Sequence, residues 1–273
     1  MPELPEVETT RLGISPHVVG CVVREVVVKR WDLRRPVSPS LPELEGRTFL
    51  SVERRSKYLL MEFSGERMLM VHLGMSGSLR VVPPGEAWKK HDHIAIRLSN
   101  GLELRYHDPR RFGLVMEMPL SEMLIHPLLA SLGPEPLEAD FTGEHLHAAL
   151  RKKTIPIKVA VMDAKTVVGV GNIYASESLF RAGIHPQLPA DKLTKPKAEK
   201  LVTSIKEVLT ESITQGGTTL RDFLNSDGQP GYFKQRLFVY GRKGEPCRVC
   251  GTSISHCVLG QRATYWCVAC QKR

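Results

Sequence analysis

Residues 247–270 read CRVCGTSISHCVLGQRATYWCVAC. Two Cys-x2-Cys pairs, Cys247/Cys250 and Cys267/Cys270, are separated by 16 residues. That spacing suits a four-cysteine zinc site: each pair offers two thiolates to one side of a tetrahedral ion, and the residues between form a hairpin. Four protein ligands close the coordination shell, so one structural zinc ion is expected, with no catalytic metal and no organic cofactor. Disulfides are the alternative, but the N-terminus carries no basic segment leading into an apolar one that would route the chain to an oxidising compartment. Cys21 and Cys257 fall off the spacing and read as ordinary buried cysteines. Inside the hairpin, Arg262 is well placed to grip a phosphate; a plain surface arginine is the other reading.

Outward from this motif the chain is basic. It has 273 residues, 42% of them apolar, and a formal net charge of +9. The last forty residues hold eight lysines and arginines against one acid, Glu245. Such a balance points to an anionic partner, most often nucleic acid. The length predicts two domains, at roughly 100–200 residues each. No apolar run is long enough for a membrane helix, and a cytoplasmic protein is the expectation.

The texture changes along the chain. Residues 3–14 predict a short helix with Pro5 in its first turn. From about 21 to 117, short runs such as Val22–Val28, Tyr58–Phe63, Met68–Leu73, Ile94–Leu98 and Leu102–Tyr106 predict an antiparallel β domain. Ser64-Gly65, Pro83-Pro84-Gly85 and Asn100-Gly101 predict its hairpin turns. After Pro119, Leu120–Leu132, Gly143–Leu150, Tyr174–Ala182 and Lys195–Thr214 have helical spacing. Leu132-Gly133-Pro134-Glu135-Pro136 is the candidate linker, and 216–234 reads as a long polar loop.

Three more clusters carry possible chemistry. Met1-Pro2-Glu3-Leu4-Pro5-Glu6 would expose a secondary amine at Pro2 once Met1 is removed. A chain-terminal amine has a pKa near ~7.7–8.0, so a useful fraction is nucleophilic at neutral pH, with the Glu3 carboxyl beside it. The plain alternative is a helix start with favourable acids. In Val170-Gly171-Asn172, two glycines (with Gly169) lead into Asn172 as an N-cap, where backbone N–H groups attract phosphate. A plain helix start is equally open. His72–Gly77 and Asp108–Gly113 are glycine-bounded turns displaying Met75, Arg110 and Phe112, side chains suited to wedge into a base stack or, alternatively, to pack in a core. Lys57 alone reads as a surface lysine.

Together these motifs make the chain closely resemble the bacterial formamidopyrimidine-DNA glycosylases of the endonuclease VIII-like superfamily, base-excision enzymes that remove oxidised purines. The resemblance runs through Pro2–Thr9, Arg54–Leu60, His72–Arg80, His91–His93, Asp108–Gly113, Val167–Glu177, Gln215–Phe233 and Tyr240–Gly251 to the last cysteines. It implies an α+β architecture. An N-terminal helix and antiparallel β-sandwich (1–132) would be followed by a helical helix–two-turn–helix domain (133–235) and a zinc finger (236–273). It implies a bifunctional glycosylase and abasic-site lyase for 8-oxoguanine and formamidopyrimidines, working through a Schiff base on Pro2 with β,δ-elimination. Pro2, Glu3, Lys57 and Arg262 would be catalytic. His72, Met75, His91, Arg110, Phe112, Lys153, Asn172 and Arg262 would contact DNA, with Arg110 reading the orphaned cytosine. Glu6 would line the base pocket and the loop at about 217–233 would close over it. The implied partner is damaged double-stranded DNA, bound by a monomer with no membrane attachment, in the bacterial cytoplasm at the nucleoid. An endonuclease VIII-type enzyme for oxidised pyrimidines and a non-catalytic zinc-finger DNA binder are the alternatives.

Overall fold

The computed structural model describes residues 2–217 and 237–272. Met1 and most of the expected closing loop, from 218 to 236, lie outside the described residues. The described chain forms two compact units: residues up to Ala130 with Gln215–Gly217, and Ser131–Thr214 with the segment from Leu237 onward.

The first unit begins with helix α1, Leu4–Val18. Its start is a capping box. The Glu3 side chain accepts from the Glu6 N–H, while Glu3 N–H donates to Glu6 Oε2 at 2.8 Å. Leu4, Val7, Ile14 and Val18 form its buried face. The helix outlasts its predicted end at residue 14 because buried Val18 anchors another turn. Pro16 sits in that turn and forfeits only one backbone bond.

Two antiparallel four-stranded sheets follow. One has the order β1 (Val23–Val28), β6 (Asp92–Leu98), β7 (Glu103–His107), β5 (Ser78–Val82). The other runs β2 (Phe49–Arg55), β3 (Tyr58–Phe63), β4 (Arg67–His72), β8 (Leu114–Pro119). One core binds both sheets to α1, including Val7, Phe49, Phe63, Ile96 and Leu104. The outer face of the second sheet is covered separately. Met68, Met70 and Met118 pack there with Leu128 and Leu129, from the region of α2 (Leu120–Leu124) and α3 (Pro127–Ala130). Pro127 separates what 120–132 suggested as one helical stretch.

Ser64-Gly65 and Asn100-Gly101 do turn hairpins, β3–β4 and β6–β7. Pro83-Pro84-Gly85 does not. Strand β5 pairs with β7 rather than with its successor β6, so that segment connects strands that are not neighbours.

In the second unit, α4 (Gly143–Leu150) and α6 (Asn172–Ala182) pack on α7 (Lys195–Thr214). Helix α7 buries Ala198, Leu201, Val202, Ile205, Val208 and Leu209, a 3–4 residue spacing that makes one apolar stripe. The finger hairpin is β9 (Ser255–Leu259) and β10 (Arg262–Trp266). Its two-residue turn, Gly260-Gln261, has positive φ at both positions (53° and 61°), the conformation that matches strand twist in tight hairpins. Among the described residues no helix is long and apolar enough to cross a membrane.

Candidate active site

At the head of α1, Pro2 and Glu3 are buried, Glu3 to 3% exposure and Glu6 to 0%. The capping box holds both carboxylates in place from local sequence alone. Gly217 packs against this group, with φ +83° and a position where an added Cβ would lie 3.2 Å from Glu6 Oε1. A side chain there would crowd the carboxylate as well as strain the backbone.

Lys57 occupies the two-residue turn between β2 and β3, after Ser56 at φ 57°. The next residue, Tyr58, pairs in register with His72 at the end of β4, and their rings stand 5.1 Å apart. His72 Nδ1 accepts the Gly74 N–H at 3.0 Å. A ring nitrogen that accepts cannot carry a proton, so in the neutral ring Nε2–H is the donor. Burial, and then the Lys57 ammonium, lower the His72 pKa from 6.5 to about 4, against an opposing pull from Asp108. His72 therefore offers a neutral N–H donor at physiological pH. With Arg34, Arg35, Tyr58 and Phe112 it lines a cavity of about 280 Å³.

This has a measurable signature. The His72 ring resonance should titrate near pH 4 and stay flat between pH ~6 and 8, and Lys57→Met should raise the midpoint. Titration between pH ~6 and 7 would show a solvated ring instead. The sign for stability follows. Because the folded pKa lies below the unfolded one, this site contributes least instability above pH 6.5 and progressively destabilises the fold as pH falls towards 4.

The Met75 turn and the Arg110–Phe112 turn are brought together. An added Cβ on Gly74 would sit 2.6 Å from both Gly113 N and Phe112 C, so the two backbones touch. Met75 is half-buried, whereas Arg110 and Phe112 are exposed, Phe112 to 39%. The Arg110 guanidinium lies 4.9 Å from the Phe112 ring centroid and that of Arg34 lies 5.6 Å away. A large aromatic held out by cations is unlike a core residue. Arg111 between them takes a left-handed φ of 57°. His91 borders the second of these turns, its carbonyl accepting the Asp108 N–H at 3.0 Å. It lines a basic pocket of about 720 Å³ with Lys29, Arg30, Lys89, Lys90 and Arg111.

In the second unit, Asn172 is the first residue of α6, not its cap; Gly171 takes the cap position. The Asn172 side chain is engaged instead by Lys158, on the short helix α5 (Ile157–Val161). Its ammonium, on a residue only 1% exposed, donates to Asn172 Oδ1, to the Ala263 carbonyl at 3.0 Å and to Thr264 Oγ1 at 2.9 Å. The Asn172 carbonyl is thereby engaged, and its Nδ2 lies 3.5 Å from the Tyr240 hydroxyl. Buried Glu177, five residues further along α6, accepts the backbone N–H groups of Phe238, Val239 and Tyr240 at 2.8–3.0 Å. Asn172 and the finger hairpin are thus assembled by two buried charges that sequence reasoning missed. A lone lysine in the apolar run Ile155–Val161 was the available signal. Exposed Arg262 directly follows the hairpin turn, whose Gly260 packs on Val159. Lys153 lies apart from this group: its ammonium donates to Asp163 Oδ2 at 2.8 Å and Thr166 Oγ1 at 2.7 Å.

The sulfurs of Cys247, Cys250, Cys267 and Cys270 all lie within 4.8 Å of one another, and none is in a disulfide. Separations of 3.4, 3.5 and 3.9 Å bracket the edge of about 3.8 Å that a tetrahedron with 2.3 Å Zn–S bonds requires. The donor set and its geometry fit zinc, with all four positions filled by protein. Cys21 and Cys257 stand outside the cluster and are half-buried rather than buried.

Comparison with known proteins agrees with this assembly. Residues 1–115 match the formamidopyrimidine-DNA glycosylase N-terminal domain, 132–224 the formamidopyrimidine-DNA glycosylase H2TH domain, and 244–273 the zinc finger found in FPG and IleRS. The formamidopyrimidine-DNA glycosylase of an Escherichia coli O6:H1 strain is 57% identical over 272 residues, covering 100% of both chains. Among solved structures, the MutM (Fpg) protein of Thermus thermophilus is 40% identical with a TM-score of 0.88, covering 99% of this chain and 98% of that one. The Lactococcus lactis Fpg, in complex with DNA containing an abasic site, is 33% identical with a TM-score of 0.91 over 100% of both chains. With three domain matches in order and full-length identity of this degree, the chain belongs to the formamidopyrimidine-DNA glycosylase family.

Proposed function

We propose that this chain is a bifunctional DNA glycosylase and abasic-site lyase that excises oxidised purines from duplex DNA, with the Pro2 nitrogen as nucleophile. The supporting observation is buried Pro2 next to Glu3, which a reciprocal cap with Glu6 locks at the head of α1, in a chain of this family. With Met1 attached, the Pro2 nitrogen is a tertiary amide and has no lone pair to give, so activity requires removal of Met1.

The chemistry needs no metal. The amine attacks C1′ of the damaged nucleotide and the bond from C1′ to the base breaks, the base leaving with the proton that the attacking nitrogen gives up. Glu3 protonates the ring oxygen as the C1′–O bond opens, which leaves an iminium. The iminium withdraws electrons and acidifies the C2′ proton. Loss of that proton expels the 3′-phosphate, and a second elimination expels the 5′-phosphate. Lys57 assists at the sugar-phosphate, and neutral His72 donates Nε2–H to a phosphate. Asn172 and Arg262 make further phosphate contacts, and His91 and Lys153 add to the DNA contacts. Met75 and Phe112 fill the void left by the extruded nucleotide, and Arg110 reads the orphaned cytosine. The zinc ion shapes the hairpin that carries Arg262. Working on DNA, the protein acts at the bacterial nucleoid.

Borohydride reduction tests this directly. Wild-type protein should form a covalent complex with 8-oxoguanine duplex, Pro2→Gly should not, and intact mass should show Met1 absent from active enzyme. No complex with wild type would leave only DNA binding. Faster excision from thymine glycol than from 8-oxoguanine duplex would favour the pyrimidine enzyme.

A further inference from the structure

We propose that Asp108 is the positioning residue for opposite-base recognition: one buried carboxylate locks the Met75 turn and the Arg110–Phe112 turn into a single reading head. The proposal rests on the role given to Arg110 above.

Asp108 looks like a loop acid in the sequence His107-Asp108-Pro109-Arg110, yet it is 0% exposed. Each carboxylate oxygen takes one hydroxyl and one backbone N–H. Oδ1 accepts from Ser76 Oγ at 3.0 Å and from Arg110 N–H at 3.2 Å. Oδ2 accepts from the Tyr106 hydroxyl at 3.0 Å and from Gly113 N–H at 2.9 Å. The Asp108 carbonyl accepts from Arg111 N–H at 3.2 Å and lies 2.8 Å from His93 Nε2. Burial and the Asp108 charge both push the Tyr106 phenol pKa up, so the phenol stays a donor.

The donors are distributed in a telling way. Ser76 belongs to the Met75 turn. Arg110 N–H and Gly113 N–H bracket the exposed segment that carries Arg110 and Phe112. One side chain therefore reaches both ends of that segment, sharing the Arg110 N–H with Ser76 Oγ at 3.3 Å, and ties it to its neighbour, where Gly74 and Gly113 already touch. A base edge is read only if the guanidinium arrives within a few tenths of an ångström of its place. A segment exposed to solvent, with a left-handed residue at Arg111, holds such a placement only if something beneath it does not move. Asp108 is that support. It touches neither substrate nor base in this role; it acts through Arg110.

Asp108→Asn is a sharp probe. Hydroxyls can reverse and accept, so Ser76 and Tyr106 adapt to an amide. Backbone N–H groups cannot. An NH2 at the Oδ2 position faces Gly113 N–H and releases that end; an NH2 at the Oδ1 position faces Arg110 N–H and leaves it only the longer bond to Ser76 Oγ at 3.3 Å.

The experiment measures single-turnover excision of 8-oxoguanine opposite cytosine and opposite adenine for wild type, Asp108→Asn, Arg110→Ala and the double variant. Arg110→Ala should lower the cytosine-to-adenine ratio by roughly 5- to 150-fold, the span of one bidentate base contact. Asp108→Asn should remove most of the same ratio, and the double variant should be no worse than Arg110→Ala alone. Ser76→Ala deletes the hydroxyl's bond to Asp108 and its weaker bond from Arg110 N–H without creating a clash, leaves both Asp108 bonds to the segment's backbone, and should give a smaller drop in the ratio with little change in melting temperature. It supplies the reading if Asp108→Asn does not fold. Equal slowing on both duplexes with the ratio intact, or additive losses in the double variant, would overturn the proposal. Absence of excision or of borohydride trapping by wild type would instead overturn the function proposed for the whole chain.

Discussion

Glu3→Gln should slow base excision by about 10²–10⁴-fold, the range a positioned proton donor contributes, while DNA affinity changes less than about threefold. The substitution is informative because Glu3 has two jobs that it separates. As helix cap, its side chain accepts the Glu6 N–H, and glutamine keeps a carbonyl oxygen for that bond. Loss of a cap of this type costs about 1 kcal/mol at most sites, and retention of the acceptor should hold the change below that. As acid, the side chain must give up a proton, which an amide does not do. A rate loss without a matching loss of melting temperature is therefore the expected pair of results. Excision within about tenfold of wild type, in a variant of unchanged stability, would reduce Glu3 to a structural cap.

Stripping the metal, or replacing Cys267 by serine, should weaken binding to an abasic-analogue duplex by more than about 100-fold. That is the loss of the phosphate contacts of Arg262, on the finger, and of Asn172, which Lys158 ties to the finger, at roughly 1.5–3 kcal/mol each. The finger has little else to hold it. Its hairpin pairs two strands of five residues each, and a two-stranded ribbon alone is marginal in water. Its core is small: Val239, Ile254 and two of the ligands themselves, Cys247 and Cys267, with Phe180 from α6. Zinc binding therefore supplies the folding free energy of this segment. Cys267 is 0% exposed, so serine also buries an unmatched hydroxyl. Anisotropy titration of metal-free protein, with zinc added back, reads the effect. Undiminished affinity in protein shown by elemental analysis to hold no metal would remove the finger from DNA binding.

The parts of this molecule that were legible in the sequence are those set by local periodicity. Strand Tyr58–Phe63 and helices Gly143–Leu150 and Lys195–Thr214 lie where alternation and the 3–4 residue stripe put them. The cysteine spacing was legible because ligand geometry constrains neighbours in sequence. Strand order was not. Nothing local in Pro83-Pro84-Gly85 says that β5 will bypass β6 for β7. Asparagine before a helix usually caps it, but Asn172 lies inside the first turn and its side chain meets a lysine fourteen residues earlier in the chain. Asp108, Lys158 and Glu177 were hidden for a common reason. A charged residue in sequence looks solvated, and only the tertiary fold shows that its partners are backbone groups and hydroxyls from distant segments.

The Lys158 ammonium has a consequence for how the second unit comes apart. Its three acceptors belong to the first turn of α6 and to β10, about ninety residues later in the chain. Departure of either partner leaves a buried ammonium short of acceptors. The finger is therefore not an appendage that frays by itself. It opens and closes with the start of α6 as one cooperative block, and a metal bound at one end of that block sets the lifetime of a helix terminus at the other.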